Sequence, residues 1–331
     1  MSAVYEKEKL AYRLLDGETA KRLERPGASL RYSVLPCSGE KAGTVIFLHG
    51  VASNGSRWEE FIEGTSLRKA FDILRCDLRG HAASVSSRQA RLEDWCGDVE
   101  AILQAENVAK SIVVGHSLGA QVAVNFAARY ADRVCGVVLL DPLISEALTP
   151  KALQMRAKLP YLKVMERFCR LGNALGFSRR LQNQDLRAMD AKAREKIAAG
   201  GKELEEFIKE YSSARADLKY IHSAVYLHDL IEVGRPTPAP ESITVPMLVI
   251  GASAGTFTDA QAMRQWVNAL KDGQMAVVKC AHWPLTECPR DVADVIEGWV
   301  FKRFAPQSAA QASSNLSLIH ISEPTRHLRI S

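Results

Sequence analysis

The chain has 331 residues, 47% of them hydrophobic and 24% charged, which is ordinary for a soluble globular protein. Its formal net charge at pH 7 is only +5, and the basic residues alternate with acidic ones instead of forming a basic arm. We therefore expect no nucleic-acid partner, and either one large domain or one domain that carries a substantial insertion.

Cysteine usage and the amino terminus suggest a reducing compartment. The sequence contains an odd number of cysteines and no CxxC pair, so neither a disulfide framework nor a zinc site is expected. The first 15 residues carry charges throughout, with no apolar signal segment, and no apolar run approaches the length of a membrane span. These features predict a cytoplasmic protein with no metal and no membrane-spanning segment. The seven cysteines are Cys37, Cys76, Cys96, Cys135, Cys169, Cys280 and Cys288.

The first half of the chain alternates apolar runs with amphipathic segments. Short runs rich in Val, Ile and Leu predict strands, and the segments between them follow helical spacing. Continuous apolar strands that alternate with helices indicate a mainly parallel sheet with helices on both faces. The predicted strands are Ser29–Leu35, Thr44–Leu48, Asp72–Cys76, Ser111–Val114 and Val134–Leu140, and the predicted helices are Leu92–Glu106 and Leu118–Tyr130.

This alternation stops after Asp141 and returns near residue 246. Residues 144–240 show only charged helical patterns, which predict a helical cap inserted over the carboxyl edge of the sheet, where ligands of open α/β sheets bind. Residues 1–143 and 241–305 would then form one core. Its second part is predicted to contain strands Pro246–Ile250 and Met275–Lys279 and helices Asp259–Leu270 and Pro289–Phe304.

The last 26 residues differ in character from the rest of the chain. Residues 306–315 are rich in Ser, Ala and Gln and predict a disordered tail. Residues 316–331 begin with LSLIHISEPTR, which back-translates into a transposase sequencing adaptor in one reading frame. We therefore expect this final segment not to be native, and we expect neither segment to belong to the folded core.

The sharpest chemical signal is the motif G-x-S-x-G at residues 115–119, which reads GHSLG. It lies between a predicted strand and a predicted helix, and its small flanking residues allow a tight turn that holds Ser117 above the edge of the sheet. The start of the helix offers backbone N–H groups and a positive dipole to a developing oxyanion. Ser117 is therefore the candidate nucleophile.

A second motif, FLHGV at residues 47–51, ends a predicted strand upstream. With the motif around Ser117 and the turn DLRGH at residues 77–81, it makes the chain resemble the α/β-hydrolase superfamily, in its capped serine hydrolase or esterase form. The resemblance covers about residues 30–304. It implies an α/β fold with a mainly parallel, eight-stranded sheet, helices on both faces and a helical cap. It also implies an oxyanion hole formed by the backbone N–H groups of Val51 and Leu118, and no cofactor.

The resemblance also indicates the catalytic base. His282 follows the last predicted strand in the sequence CAHWP, and a histidine in that loop matches the base of the family. A serine hydroxyl is a poor nucleophile until a base within hydrogen-bond reach accepts its proton. His282 is therefore expected to activate Ser117.

The acid of the triad departs from the family pattern. In most members it lies three residues after the glycine that ends the strand preceding the histidine strand, but here Gly251 is followed by Ala-Ser-Ala. Two candidates remain. Asp141, at the end of strand Val134–Leu140, occupies a place that some members use. Asp259 resembles a helix-capping residue, a role in which aspartate is favoured. We favour Asp141 and keep Asp259 as the alternative.

These residues predict hydrolysis of a carboxylic ester of a small or medium acyl substrate through an acyl-enzyme, with a small molecule as the only predicted partner. Two alternatives stay open: C–C bond hydrolysis or acyl transfer by the same residues, and a non-catalytic ligand-binding protein on this fold. Substrate identity and oligomeric state do not follow from the sequence. Apolar cap residues either shape an acyl pocket or pack against the core, among them Leu159, Tyr161, Leu162, Val164, Met165 and Phe168.

Overall fold

The computed structural model describes residues 13–177, 181–182, 184–199, 202, 213–253, 257–280 and 283–305. The predicted tail segments 306–315 and 316–331 lie outside the described residues, and so does His282. The described residues nearest to the predicted catalytic base are Cys280 and Trp283.

At the centre of the structure, the described residues form one nine-stranded sheet, one strand more than the eight that the resemblance implied. Its strands are β1 (Thr19–Arg25), β2 (Ala28–Leu35), β3 (Gly43–Leu48), β4 (Phe71–Cys76), β5 (Val85–Ser86), β6 (Ser111–His116), β7 (Val134–Leu140), β8 (Met247–Ala252) and β9 (Gly273–Val278). Their order is β1-β2-β4-β3-β6-β7-β8-β9, with β5 paired to β2 at one side. The six strands β4, β3, β6, β7, β8 and β9 run parallel to one another. Strand β2 is antiparallel to its neighbours β1, β4 and β5. The predicted mainly parallel sheet is confirmed.

The parallel strands are buried, which explains their sequences. In β3 every residue except the first is buried, and in β6 every residue except the last is buried. A strand covered on both faces needs apolar side chains on both, so it reads as a continuous run of Val, Ile and Leu. Strand β1 has the opposite character: it is polar and mostly exposed at the edge of the sheet, and its sequence therefore contained no strand signal.

Helices cover both faces of the sheet. The described helices are α1 (Glu59–Gly64), α2 (Leu92–Ala105), α3 (Leu118–Arg129), α4 (Pro150–Ala157), α5 (Leu159–Ala174), α6 (Leu186–Ala199), α7 (Ala214–Asp217), α8 (Ser223–Val233), α9 (Ala260–Ala269), α10 (Pro284–Glu287) and α11 (Pro289–Phe304). Helices α2, α3 and α9 pack one apolar layer against the sheet, with Trp95 and Phe126 at its centre. Helices α1 and α11 pack the other, which contains Trp58 and Trp299. No helix in this part of the chain is long and apolar enough to cross a membrane.

Between β7 and β8 the described residues form helices α4 to α8 and no strand. Buried polar contacts attach these helices to the core. His81 Nε2 lies 3.0 Å from the Asp229 carboxylate of α8, and both side chains are almost fully buried. One turn further along α8, Glu232 accepts a hydrogen bond of 2.9 Å from the backbone N–H of Leu92. The Asp229 charge opposes the effect of burial and raises the pKa of His81.

Candidate active site

Ser117 occupies a one-residue turn between β6 and α3. Its φ is +52°, a backbone conformation that residues with a Cβ atom adopt rarely. Its N–H donates to the Leu140 carbonyl (3.0 Å), and its own carbonyl accepts from Ala120 N–H (2.9 Å) and Gln121 N–H (3.1 Å). These hydrogen bonds hold the strained turn in place. The chain thus passes from strand to helix at Ser117, as the sequence motif predicted.

The glycines on either side of Ser117 are required by close packing. A Cβ atom on Gly119 would lie 2.3 Å from the Leu48 carbonyl oxygen, and one on Gly115 would lie 2.1 Å from the Gly119 carbonyl oxygen. The first turn of α3 therefore rests directly on the end of β3. This contact sets Ser117 beside the loop that follows β3.

We expect Gly119→Ala to destabilise the protein by about 3 kcal/mol or more, because backbone atoms cannot yield to the new methyl group as a flexible side chain would. Urea denaturation measures the loss. Gly298→Ala is the matched control, since Gly298 lies inside α11 with nothing within 4 Å of the added Cβ. That variant should be about 0.5–1 kcal/mol more stable than the wild type, because alanine favours the helix. Equal stability of both variants would contradict the packing argument.

The loop after β3 lies close to Ser117. A Cβ atom on Gly50 would be 3.3 Å from the Ser117 Cβ. The backbone N–H groups of Val51 and Leu118, the two predicted oxyanion donors, donate to no acceptor in the described part of the chain. Leu118 is the first residue of α3, where backbone N–H groups have no intrahelical partner. Both N–H groups therefore remain available at the strand ends near the serine.

His49 braces this loop, as expected for a structural histidine. Its ring is fully buried, and its Nε2 accepts a hydrogen bond of 2.9 Å from Leu78 N–H. The proton of the neutral ring therefore lies on Nδ1, which donates to the Gly50 carbonyl at 2.8 Å. Burial holds the pKa of His49 well below its usual value, with the neighbouring His81 adding to the effect. A neutral imidazole with a hydrogen bond at each ring nitrogen fixes the loop and does not exchange protons with substrate.

The turn at residues 77–81 is also architectural. The Asp77 carboxylate accepts a hydrogen bond of 2.9 Å from Gly55 N–H, so it holds the second half of the loop after β3. Arg79 donates through Nε to the Asp98 carboxylate of α2 at 2.8 Å. Through these contacts Asp77 and Arg79 brace neighbouring elements.

Asp141 stands at the end of the strand next to Ser117. It follows β7 directly, is 6% exposed and has a φ of +47°. Its N–H donates to the Ile250 carbonyl of β8 at 2.8 Å. Since β6 and β7 are parallel neighbours, Ser117 and Asp141 follow adjacent carboxyl ends of the sheet. Asp141 thus shares the edge that carries the serine.

Asp259 has a different environment. It is exposed at the start of α9, where its carboxylate accepts a hydrogen bond of 2.8 Å from Ala262 N–H. This is the contact of a helix N-cap, the role its sequence context suggested. The capping contact accounts for the choice of aspartate at this position.

Cys280, the last described residue before His282, lies at the same edge. The Cys280 carbonyl, just after β9, accepts a hydrogen bond of 3.3 Å from Ser253 Oγ at the end of β8. A hydrogen bond to Cys288 and burial raise the pKa of the Cys280 thiol, and the Asp141 carboxylate contributes to the same direction.

A cavity of about 460 Å³ opens beside the serine. Trp283, which follows His282 in the chain, lies on its wall together with Ser117 and Val51. Helices between β7 and β8 form the opposite side. The further lining residues are Gly50, Ala52, Ser53, Arg57, His116, Met155, Gln184, Leu186, Met189, Lys192, Ala193, Lys196, Ala216, Asp217, Lys219, Tyr220, Tyr226, Leu230 and Phe257.

Sequence reasoning missed most of this wall. The two roles proposed for the apolar residues of α5 are wrong for four of them, because Tyr161, Val164, Met165 and Phe168 are 72%, 54%, 52% and 70% exposed, and none lines the cavity. The lining from this part of the chain comes instead from α4, α6, α8, the residues around α7 and the segment near Phe257. No sequence motif connects these segments. The hydrophobic spacing along α6 was therefore the one sequence signal that could have indicated part of the cavity lining. Within the described residues, no group of three or more His, Cys, Asp or Glu side chains could hold a metal ion.

A buried ion pair holds α6 against the loop after β3. Arg57 Nη1 lies 2.5 Å from the Asp190 carboxylate, and the two side chains are 8% and 5% exposed. Thr286 of α10 donates to the same carboxylate at 2.9 Å. Asp190 thereby joins three elements around the cavity.

We expect Asp190→Ala to destabilise the protein by about 3–5 kcal/mol, because a buried guanidinium loses its carboxylate partner. The free energy of unfolding in urea is the measurement. Asp132→Ala is the control, since Asp132 is exposed in the short helical turn before β7. That variant should stay within about 0.5 kcal/mol of the wild type. Comparable effects of the two substitutions would refute a special role for Asp190.

Comparison with known proteins gives a family and several relatives. The sequence model of the family described as alpha/beta hydrolase fold matches residues 43–289 of this chain. The 2-(acetamidomethylene)succinate hydrolase of Mesorhizobium japonicum is 34% identical over 98 residues, which are 29% of this chain and 34% of that protein. The sn-1-specific diacylglycerol lipase ABHD11 of Danio rerio is 26% identical over 151 residues, 43% of this chain and 47% of that protein. The chain thus spans only a third to a half of the length of these curated relatives.

Solved structures extend the likeness of the fold over most of the chain. A thermophilic esterase from Thermogutta terrifontis superposes with a TM-score of 0.62 at 21% sequence identity, covering 86% of this chain and 99% of that one. At this identity the superposition describes the fold alone.

Proposed function

Because the chain belongs to the α/β-hydrolase family, we propose that it is a serine hydrolase that cleaves a carboxylic ester of a small or medium acyl substrate. The observation that carries this proposal is Ser117, held at a φ of +52° between strand and helix on the wall of a cavity of about 460 Å³. A serine hydroxyl on a strained turn at the cavity wall, next to backbone N–H groups with no acceptor among the described residues, suits attack on a carbonyl carbon.

The reaction follows from the residues at this edge. Ser117 Oγ bonds to the ester carbonyl carbon as its proton passes to His282, and the tetrahedral intermediate forms. The intermediate collapses when the alcohol leaves with the proton from His282, which gives the acyl-enzyme. Water then attacks the acyl carbon, again losing a proton to His282, and the acid is released as Ser117 recovers its proton. No cofactor is needed.

The negative oxygen of each tetrahedral intermediate would accept hydrogen bonds from the N–H groups of Val51 and Leu118. Their proximity to Ser117 and the dipole of α3 support this role. Fixed donors of this kind need no reorganisation when the charge develops, and each is worth roughly a hundredfold or more in rate.

Asp141 would orient His282 and stabilise the imidazolium. Two observations support it over Asp259: its position beside the serine strand and its burial. Asp259 is already engaged in capping α9. A buried carboxylate next to the histidine keeps the correct tautomer and balances its charge.

Residues 144–240 would act as the cap that closes the cavity and selects the substrate. The wall supports this division, since Ser117 and Val51 come from the core and Leu186, Met189 and Leu230 from the helices between β7 and β8. Specificity in such sites lies in the shape and polarity of the lining. Relatives named for 2-(acetamidomethylene)succinate and for a diacylglycerol suggest that carbonyl substrates vary widely around a shared centre.

The test is fluorophosphonate labelling of the full chain together with turnover of p-nitrophenyl esters of two, four and eight acyl carbons. We expect stoichiometric labelling, with mass spectrometry locating the adduct on Ser117, and a burst of p-nitrophenol that marks the acyl-enzyme. Labelling of Ser117 without ester turnover would favour acyl transfer or C–C bond hydrolysis. Folded protein with neither labelling nor turnover would leave a ligand-binding protein on a hydrolase fold.

A further inference from the structure

The cavity wall carries an excess of positive charge. Among the described lining residues, Lys192 and Lys196 lie on α6, Lys219 follows α7, and Arg57 comes from the loop after β3. The one carboxylate on this part of the wall is Asp217. Such an imbalance in a cleft raises the local concentration of ligands of opposite charge.

Helical spacing brings the α6 lysines to the cavity. Leu186, Met189 and Ala193 also line it, at intervals of three and four residues, so they share one face of the helix. Lys192 lies beside Ala193 on the border of that face, and Lys196 follows one turn later. The apolar side chains thus form the wall, with ammonium groups along its edge.

Other charges nearby reduce this excess only in part. Arg57 is balanced by Asp190 at 2.5 Å. Burial raises the pKa of Asp217 to about 6, and Tyr226 donates a hydrogen bond to its carboxylate. Lys192 and Lys219 form no ion pair with any residue that the structure describes. Both lysines are exposed residues of the cavity lining, so their charges attract an anionic ligand that enters it.

We propose that the substrate carries a carboxylate remote from its scissile carbonyl, and that Lys192 and Lys219 bind this group. The inference rests on the proposed hydrolase function and names its substrate class. A lysine ammonium is a mobile point charge that can follow a carboxylate without a fixed geometry. A cavity of about 460 Å³ accommodates a small acid with both groups inside.

The experiment compares two esters that differ in one charge: mono-p-nitrophenyl adipate, which is anionic, and its neutral methyl ester. For the wild type we expect kcat/KM to favour the anionic ester. In the variant Lys192→Met/Lys219→Met the anionic-to-neutral ratio should fall about tenfold, mainly through KM. Raising the salt concentration to 0.5 M should weaken the preference of the wild type in the same direction.

Two further variants control the result. Lys110→Met/Lys271→Met removes the same charge from exposed positions just before β6 and β9, at the amino edge of the sheet, and should leave the ratio unchanged. Asp217→Asn removes the opposing charge while still accepting from Tyr226, and should raise the ratio about threefold at pH 7.5. An equal effect of both lysine pairs, or none from the cavity pair, would overturn the proposal although the hydrolase function would stand.

If neither ester is turned over, the proposed function fails, and calorimetry with adipate decides the anion site independently. Binding that weakens in the cavity lysine variant but not in the control pair supports the site. Equal dissociation constants in the wild type and both variants, or no binding to the wild type, would refute it.

Discussion

Ser117→Ala is expected to lower kcat for p-nitrophenyl esters by at least about 10⁴-fold, because no other group can form the acyl-enzyme. The fold should be retained, since alanine brings the same Cβ into the turn at a φ of +52°. Steady-state kinetics and the loss of fluorophosphonate labelling measure the effect, and thermal unfolding checks the fold.

Ser242→Ala is the matched control for this substitution. Ser242 is exposed in the short turn before β8, where its Oγ donates to the Ala239 carbonyl at 2.6 Å. Its replacement should leave kcat within twofold of the wild type. A Ser117→Ala protein with more than a tenth of the wild-type activity would show that Ser117 is not the nucleophile.

Asp141→Asn is expected to lower kcat by about 10³- to 10⁴-fold. Asparagine preserves the shape of the side chain but removes the negative charge that stabilises the imidazolium, and it can impose the wrong tautomer on the histidine. The loss should fall on kcat more than on KM, because the charge on the histidine develops in the transition state. Kinetics on the same esters, from pH 6 to 9, measure it.

Asp259→Asn is the comparison that separates the two acids. Asparagine caps a helix as well as aspartate does, so the hydrogen bond to Ala262 can persist. We expect both stability and activity to stay close to those of the wild type. Should Asp259→Asn inactivate the enzyme while Asp141→Asn does not, the two assignments must be exchanged.

The features that could be predicted from the sequence are those whose cause is local. A strand buried on both faces has to be apolar throughout, so β3, β6 and β7 could be recognised from their Val, Ile and Leu runs alone. The position of Ser117 followed from its neighbours, because Gly115 and Gly119 are the residues that the tight turn and its close packing require. A polar edge strand such as β1 has no such requirement and gave no signal.

By itself, the sequence determined the buried parallel strands, the turn at Ser117 and the role of Asp259 as a helix cap, because each depends on residues close together in the chain. Only the tertiary structure decided which distant residues share the cavity. Lys192 and Lys219 are separated by an interval that no periodicity connects. Four of the six apolar α5 residues that were expected to be covered are exposed. Helical spacing specifies which side chains share a face, but the partner of that face depends on how the helices pack.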